Sequence, residues 1–268
     1  MSKAKDFRKV NKGEKGNCNI CNKYDVLTDD HVPPKGCLSK GNYVSYSIYP
    51  RDDSNPEQFK EHQNGIKYRS LCKRCNNELL GRKYDPVMAK LTNDLKEKIN
   101  SRFNYSRYIS VTIKPNMIVR CLTGHILAAS ISTHRNKIHE NLSEFFLDER
   151  RVFPKEYKVY TSLYFKDSII IAKDILGNKY YNDFSSFVFF SILKFFPVAF
   201  VITGNQYYPN LKELTEFRNL GLDFETNINY DSEIIIPYDW PEKVSDGNIV
   251  LGGDEGKRAV KARQKSKG

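Results

Sequence analysis

The feature that most constrains this chain is a pair of Cys-x-x-Cys motifs near its N-terminus. Cys18 and Cys21 form the first motif, Cys72 and Cys75 form the second, and 50 residues separate the two. Two such motifs supply four thiolates, which is a ligand set of tetrahedral structural zinc. A redox pair is the alternative for either motif, but neither lies in the β-α-β context of a thioredoxin-like site. The spacing therefore predicts one zinc ion held by all four cysteines.

The segment between the two motifs needs something other than an apolar core to stabilise its fold. It is rich in glycine, proline, asparagine and aspartate and poor in long periodic apolar runs. In such segments the free energy of metal binding contributes directly to folding. The two remaining cysteines, Cys37 and Cys121, have no partner at metal-binding spacing, so we expect both to be small buried apolar side chains.

From Asp85 onward the sequence is that of an α+β protein. Apolar residues at helical spacing over 87–95, with Pro86 suited to a first turn, predict a helix. Residues 118–146 predict one or two amphipathic helices. We therefore expect a zinc-bound module over 17–85, followed by a larger mixed α+β domain over 86–253. Strands are predicted over residues 105–113, 157–165, 169–172, 198–203 and 233–236.

The net charge of +11 is concentrated at the two ends of the chain. Residues 1–110 hold 22 basic and 13 acidic side chains, residues 111–253 hold 15 and 17, and residues 254–268 hold 6 and 2. A localised basic surface is typical of proteins that bind phosphates, and it predicts nucleic-acid affinity that weakens with salt. A merely solubilising surface is the alternative. The Lys/Gly-rich ends, 1–16 and 254–268, are predicted to be flexible.

Nothing in the sequence predicts a membrane or secretory protein. The most apolar stretch, 187–202, is interrupted by Ser191, Lys194 and Pro197. The first 16 residues are polar and basic and lack the apolar segment of a signal peptide. We expect a cytoplasmic protein, in which cysteines are thiols available to metals.

Asp30 and His31 lie between the two cysteine motifs, at the end of a predicted short strand, and Asn76 follows Cys75 directly. In isolation an Asp-His pair before two prolines is more typical of a turn. A zinc site that holds the strand end against the start of a helix would bring these three residues together. Carboxylate and amide oxygens bind hard cations, and a neutral imidazole accepts a proton from water. The arrangement predicts a metal-dependent hydrolase.

The segments CNIC, TDDHVPPK and LCKRCNNELLG resemble the zinc-stapled branch of the HNH endonucleases, which have the ββα-metal fold. The resemblance covers about residues 17–85. It implies that His31 is the general base, that Asp30 and Asn76 bind a catalytic Mg²⁺ or Mn²⁺, and that the cysteines are structural. Asn76 stands where histidine is more common.

Several neighbouring residues are alternatives for roles in this site. Asn77 competes with Asn76, which we favour, and Asn64 is the nearest candidate for the family's middle asparagine. His62 could reach the site from its loop, and Asp85 could add a metal ligand. We favour a solvated loop residue for His62 and a cap of the following helix for Asp85. His125, His134 and His139 do not share one helical face, so we expect all three to be non-catalytic.

The resemblance implies a metal-dependent endonuclease acting on double-stranded DNA, in bacterial restriction or antiviral defence. Residues 86–253 would then serve recognition, regulation or self-association, or bind a regulatory protein partner. A non-enzymatic zinc-ribbon protein that binds nucleic acid is the main alternative, and a protein-interaction subunit is a third. The basic side chains predicted to contact phosphates are Lys35, Arg69, Lys73 and Arg74.

Overall fold

The structure is a computed structural model with a mixed α+β fold, as predicted. It describes residues 12–48, 60–101, 107–130, 135–178, 188–204, 206–233, 249–251 and 259–265.

The N-terminal part is a small antiparallel sheet followed by a long helix. Strands β1 (Lys15–Asn17), β2 (Tyr24–His31) and β5 (Lys67–Cys72) pair in the order β1-β2-β5. A π-helical stretch, Arg74–Tyr84, leaves β5 and runs directly into helix α1 (Asp85–Asn100). Only Lys73 stands between β5 and this stretch, so the end of the strand and the start of the helix lie next to each other.

A nine-stranded antiparallel sheet forms the largest element of the fold. Its strands are β3 (Asn42–Ser47), β4 (Lys60–Gln63), β7 (Lys158–Leu163), β8 (Ser168–Asn178), β9 (Val188–Phe195), β10 (Val198–Thr203), β11 (Lys212–Glu213), β13 (Ile249–Leu251) and β14 (Val260–Gln264). Their order is β11-β7-β10-β9-β8-β14-β3-β4, and β13 pairs with β8 beside this path. Most of β9 and all of β10 are buried, because their apolar runs are covered on both faces.

Two further helices and a two-stranded ribbon complete the described part of the chain. Helix α2 (Pro115–Ala128) is buried along its whole length, and helix α3 (Lys137–Leu147) packs against it. The ribbon pairs β6 (Tyr108–Ile113) with β12 (Thr226–Asp231). Short 3₁₀ turns occupy Lys35–Cys37 and Thr215–Phe217.

The predicted elements and the observed ones agree best where apolar periodicity is strong. The helix predicted over 87–95, the two helices within 118–146 and the strand over 198–203 are all present. Helix α2 is buried on every side rather than amphipathic, since it lies between the small sheet, the large sheet and α3. The strand predicted over 233–236 falls almost wholly outside the described residues.

The two ends of the chain require a correction. Residues 260–264, predicted to belong to a flexible tail, form β14, which pairs with β3 on one side and β8 on the other. Residues 15 and 16, also in a predicted tail, belong to β1. Backbone pairing and burial of Val260 and Ala262 compensate for the low apolar content of this tail.

Candidate functional site

The four cysteines converge as their spacing predicted. Cys18 and Cys21 lie in the turn between β1 and β2, Cys72 ends β5, and Cys75 lies in the first turn of the π-helical stretch. The four sulfurs lie within 4.8 Å of one another, and Cys21 Sγ is 3.7 Å from Cys72 Sγ. A tetrahedron with Zn–S bonds of about 2.3 Å separates its sulfurs by about 3.8 Å. The cluster therefore fits a structural zinc ion.

Hydrogen bonds attach the cysteine-bearing loop, residues 18–23, and strand β5 to the C-terminal end of α2. Asn19 Nδ2 donates to Ser130 O at 2.8 Å and to Leu127 O at 3.2 Å, and Ser70 Oγ donates to Ala128 O at 2.6 Å. These bonds satisfy carbonyl groups that a helix end leaves without intrahelical partners. The small sheet and α2 are consequently coupled through the loop that carries Cys18 and Cys21.

His31 is the last residue of β2, and its Nε2 atom is buried. Within the part of the chain that the structure describes, this nitrogen has no hydrogen-bond partner. Gly65, at a φ of 104°, lies beside the imidazole: a Cβ there would be 2.7 Å from Leu38 Cδ1 and 3.7 Å from His31 Cδ2. Glycine is required at this position both by the backbone conformation and by the close approach of Leu38.

Burial and two lysines keep the His31 imidazole neutral. Burial, together with the positive charges of Lys67 and Lys35, lowers the pKa of His31 to about 4. At neutral pH this imidazole is therefore unprotonated. The same two lysines make its surroundings attractive to an anion.

Asn76, near the start of the helix, forms hydrogen bonds to strand β2. Its Nδ2 atom donates to Thr28 Oγ1 at 2.9 Å and to the carbonyl oxygen of Asp29 at 2.8 Å. The strand pairing of β2 with β5 shifts register between these two residues, so the amide group fills an irregular point in the sheet. Asn76 is buried, whereas Asn77 is exposed.

Asp30 makes its closest contact with a residue that sequence reasoning had set aside. Its Oδ2 atom is 3.1 Å from Nδ1 of His125, and His125 Nε2 is 2.9 Å from Oδ1 of Asp85. The His125 side chain is fully buried in α2. Burial alone lowers the pKa of His125, but the charges of Asp30 and Asp85 outweigh it and raise the pKa well above its ordinary value. A histidine in a mostly apolar helix segment was the available signal for this contact.

Asp85 and Cys121 form the rest of this second cluster. Cys121 is buried, as predicted, but its Sγ lies 3.6 Å from Asp85 Oδ1. The interpretation of Asp85 as a helix cap is wrong, since the π-helical stretch continues through it into α1 and its side chain faces α2. Asp85, Cys121 and His125 place ligand atoms within 4.8 Å of one another.

The other candidate residues are distributed as follows. His139 is buried with its Nε2 2.5 Å from the carbonyl oxygen of Asn19, and His134 falls outside the described residues. His62 is a strand residue of β4, 2.6 Å from Ser45 Oγ, rather than a loop residue. Asn64 adopts a φ of 59° in the turn before Gly65, where its backbone N–H donates to the carbonyl oxygen of Gly41 at 2.7 Å.

The basic residues predicted to contact phosphates differ in their surroundings. Arg69 is engaged by Asp29, with Nη2 2.7 Å from Oδ2. The remaining three, Lys35, Lys73 and Arg74, are exposed on the surface near His31 and the helix start.

The fold is that of a mixed α+β protein, and four of its cysteines are placed so that they could hold a metal ion. No known protein family, curated protein or solved structure matches this chain. In the described ranges, no helix is both long and apolar enough to cross a membrane.

Proposed function

We propose that this protein is a metal-dependent endonuclease of the HNH type, cutting phosphodiester bonds in DNA. The observation that carries the proposal is the Nε2 atom of His31, a buried nitrogen without a hydrogen-bond partner among the described residues, set beside two lysines and next to a carboxylate. A general base needs a free nitrogen to accept a proton, and a phosphodiester needs positive charge around it.

The local architecture supports the same proposal. Two antiparallel strands, β2 and β5, lead into a helix, and the four cysteines join the strands to the helix start. This is the order of elements that the resemblance to ββα-metal nucleases implies. His31 ends the first strand and Asn76 lies in the first turn of the helix.

Each residue of the site has a distinct chemical role in this proposal. His31 Nε2 takes a proton from the attacking water, and Lys35 and Lys67 attract the phosphate. The Oδ1 atoms of Asp30 and Asn76 would hold Mg²⁺ or Mn²⁺, since Asp30 Oδ2 lies against His125 and the Asn76 nitrogen already donates to β2. A divalent cation bound there would stabilise negative charge on the phosphate oxygens and the leaving oxygen. A role in restriction or antiviral defence stays a prediction from the resemblance.

The decisive experiment compares His31→Ala with the unaltered protein on supercoiled plasmid, single-stranded DNA and RNA, with Mg²⁺, Mn²⁺ or EDTA. We expect cleavage of plasmid that requires the metal. A positioned general base contributes about 10²–10⁴-fold to the rate, so His31→Ala should lose that factor while binding DNA normally.

His62→Ala is the matched control, because His62 is also a half-buried histidine of the N-terminal part but is engaged by Ser45. We expect this variant to cut at the rate of the unaltered protein. If no substrate is cut with either metal while DNA is still bound, the non-enzymatic zinc-ribbon alternative replaces the proposal. Equal rates for His31→Ala and the unaltered protein would also overturn it.

A further inference from the structure

We propose that Asp85, Cys121 and His125 form a second metal site, distinct from the four-cysteine cluster, that binds a borderline-soft ion of the Zn²⁺ class. Neither the cysteine motifs nor the resemblance implies this site. It joins α1 to α2, two helices that lie outside the segment carrying the motifs.

The geometry of the three side chains is close to that of a coordination sphere. Asp85 Oδ1 is 2.9 Å from His125 Nε2 and 3.6 Å from Cys121 Sγ, and all three ligand atoms lie within 4.8 Å of one another. Tetrahedral bonds of about 2.0–2.3 Å to oxygen, nitrogen and sulfur place neighbouring ligand atoms about 3.3–3.6 Å apart. The distance from Asp85 to Cys121 already has this value, and a shift of about 0.4 Å would bring the distance from Asp85 to His125 to it.

The fourth member of the cluster, Asp30, has the position of an outer-sphere carboxylate. Its Oδ2 lies 3.1 Å from His125 Nδ1, the ring nitrogen that faces away from Asp85. Histidines that bind metals usually donate the other ring N–H to a carboxylate or a carbonyl group, which fixes the ring and makes the ligating nitrogen more basic. Asp30 thus orients the His125 ring so that its Nε2 atom faces Asp85 and Cys121.

The donor set selects the class of metal. One thiolate, one imidazole and one carboxylate suit Zn²⁺ and disfavour Mg²⁺ and Ca²⁺, which bind oxygen ligands. Binding would displace the proton between His125 Nε2 and Asp85 Oδ1 and the thiol proton of Cys121. Cys121 and His125 are fully buried, whereas the Asp85 side chain is 25% exposed, so a water molecule can complete the sphere from that side.

The test is the zinc content of the full chain after incubation with excess Zn²⁺ and desalting, measured by elemental mass spectrometry against protein concentration. We expect two equivalents in the unaltered protein and one in Cys121→Ala. Cys37→Ala is the matched control, since Cys37 is equally buried but lies outside the ligand set, and it should keep two. If Cys121→Ala fails to fold, Asp85→Asn at the part-exposed ligand tests the same loss.

The Asp30→Asn variant tests whether Asp30 binds the second metal directly or only orients His125. We expect it to keep two equivalents at saturation but to weaken the second by about 10–100-fold in a zinc titration. One equivalent in the unaltered protein, or two in both Cys121→Ala and Asp85→Asn, would show a metal-free cluster of ion pairs and overturn the proposal. The measurement uses neither nucleic acid nor Mg²⁺, so its failure leaves the cleavage test of His31 unaffected.

Discussion

At the scale of single residues, the buried histidines differ in charge because their partners differ. His125 lies between two carboxylates, which raise its pKa well above the ordinary value. The Nε2 atom of His139 instead contacts the carbonyl oxygen of Asn19. Burial lowers the pKa of His139 to about 4, and the positive charge of Lys173 acts in the same direction against a smaller opposite effect of Asp174. The first histidine is therefore charged at neutral pH unless a metal displaces its proton, and the second is neutral.

The low pKa of His139 predicts a loss of stability in mild acid. An unfolded histidine has a pKa of about 6.5, so between pH 6.5 and 4 the unfolded chain binds a proton that the folded chain does not. The free energy of unfolding should fall by about 1 kcal/mol from this residue between pH 7.5 and 5.5.

Urea unfolding of the unaltered protein and of His139→Gln at the two pH values isolates this effect. Glutamine keeps a donor for the Asn19 carbonyl group but does not titrate. We expect the stability advantage of the unaltered protein to shrink by about 1 kcal/mol at pH 5.5. The same difference at both pH values would contradict the assignment.

At the scale of elements, helix α2 organises the packing around the site. It carries Cys121 and His125. Its C-terminal carbonyl groups accept hydrogen bonds from Asn19 and Ser70. The guanidinium group of Arg120 donates to the carbonyl groups of Phe145, Glu149 and Arg151. A helix buried on all sides needs small residues where neighbours approach. Gly124 is such a point, because an added Cβ would lie 2.6 Å from both Leu80 Cδ2 and Phe146 Cε2.

Gly124→Ala should therefore destabilise the protein although alanine favours helices. The helix propensity gained is about 1 kcal/mol, whereas overpacking a filled core costs about 1–3 kcal/mol. We expect a net loss of about 1 kcal/mol in chemical unfolding. The control is Gly81→Ala, where the added Cβ meets only Asn76 O at 3.4 Å, and it should be neutral or stabilising. A more stable Gly124→Ala protein would show that the helices around α2 are loosely packed.

At the scale of the whole molecule, the C-terminal strand joins the two regions that the sequence had separated. Strand β14 lies between β3 of the N-terminal region and β8 of the C-terminal region. One apolar core includes residues of both regions, among them Leu80, Leu122 and Phe200. The predicted boundary near residue 85 therefore separates sequence patterns rather than independently packed cores.

This position of β14 predicts that deleting 254–268 unfolds the large sheet, rather than only reducing nucleic-acid affinity. The deletion leaves β3 and β8 without their shared partner, so we expect a lower Tm and a lower yield of soluble protein. A deletion variant that melts at the unaltered Tm would show that β14 contributes little to the fold.

Arg263→Gln with Lys265→Gln removes two exposed charges of the C-terminal segment and keeps β14 itself. We expect this variant to melt normally. If the two side chains neutralise phosphates, the slope of log affinity against log salt for double-stranded DNA should become shallower by about 0.9 for each of these charges. An unchanged slope would show that neither side chain binds the DNA backbone.

The sequence by itself determined the features that depend on neighbours along the chain. Cys18 and Cys21, like Cys72 and Cys75, are held near one another by a single turn, so their spacing was enough to predict a metal cluster. Apolar patterns located α1, α2 and β10, because such patterns also depend only on residues that are close along the chain. The burial of Cys37 and Cys121 followed from their having no partner at metal-binding spacing.

Only the tertiary structure decided which distant side chains meet. His125 is 95 residues from Asp30 and 40 from Asp85, and no local pattern links them. Their contact arises because α2 is mostly apolar and is buried between the small sheet, α1 and the large sheet, which brings its one histidine to both carboxylates. The strand in the C-terminal tail has a similar cause: pairing with β3 and β8 stabilises residues whose composition alone predicts no structure.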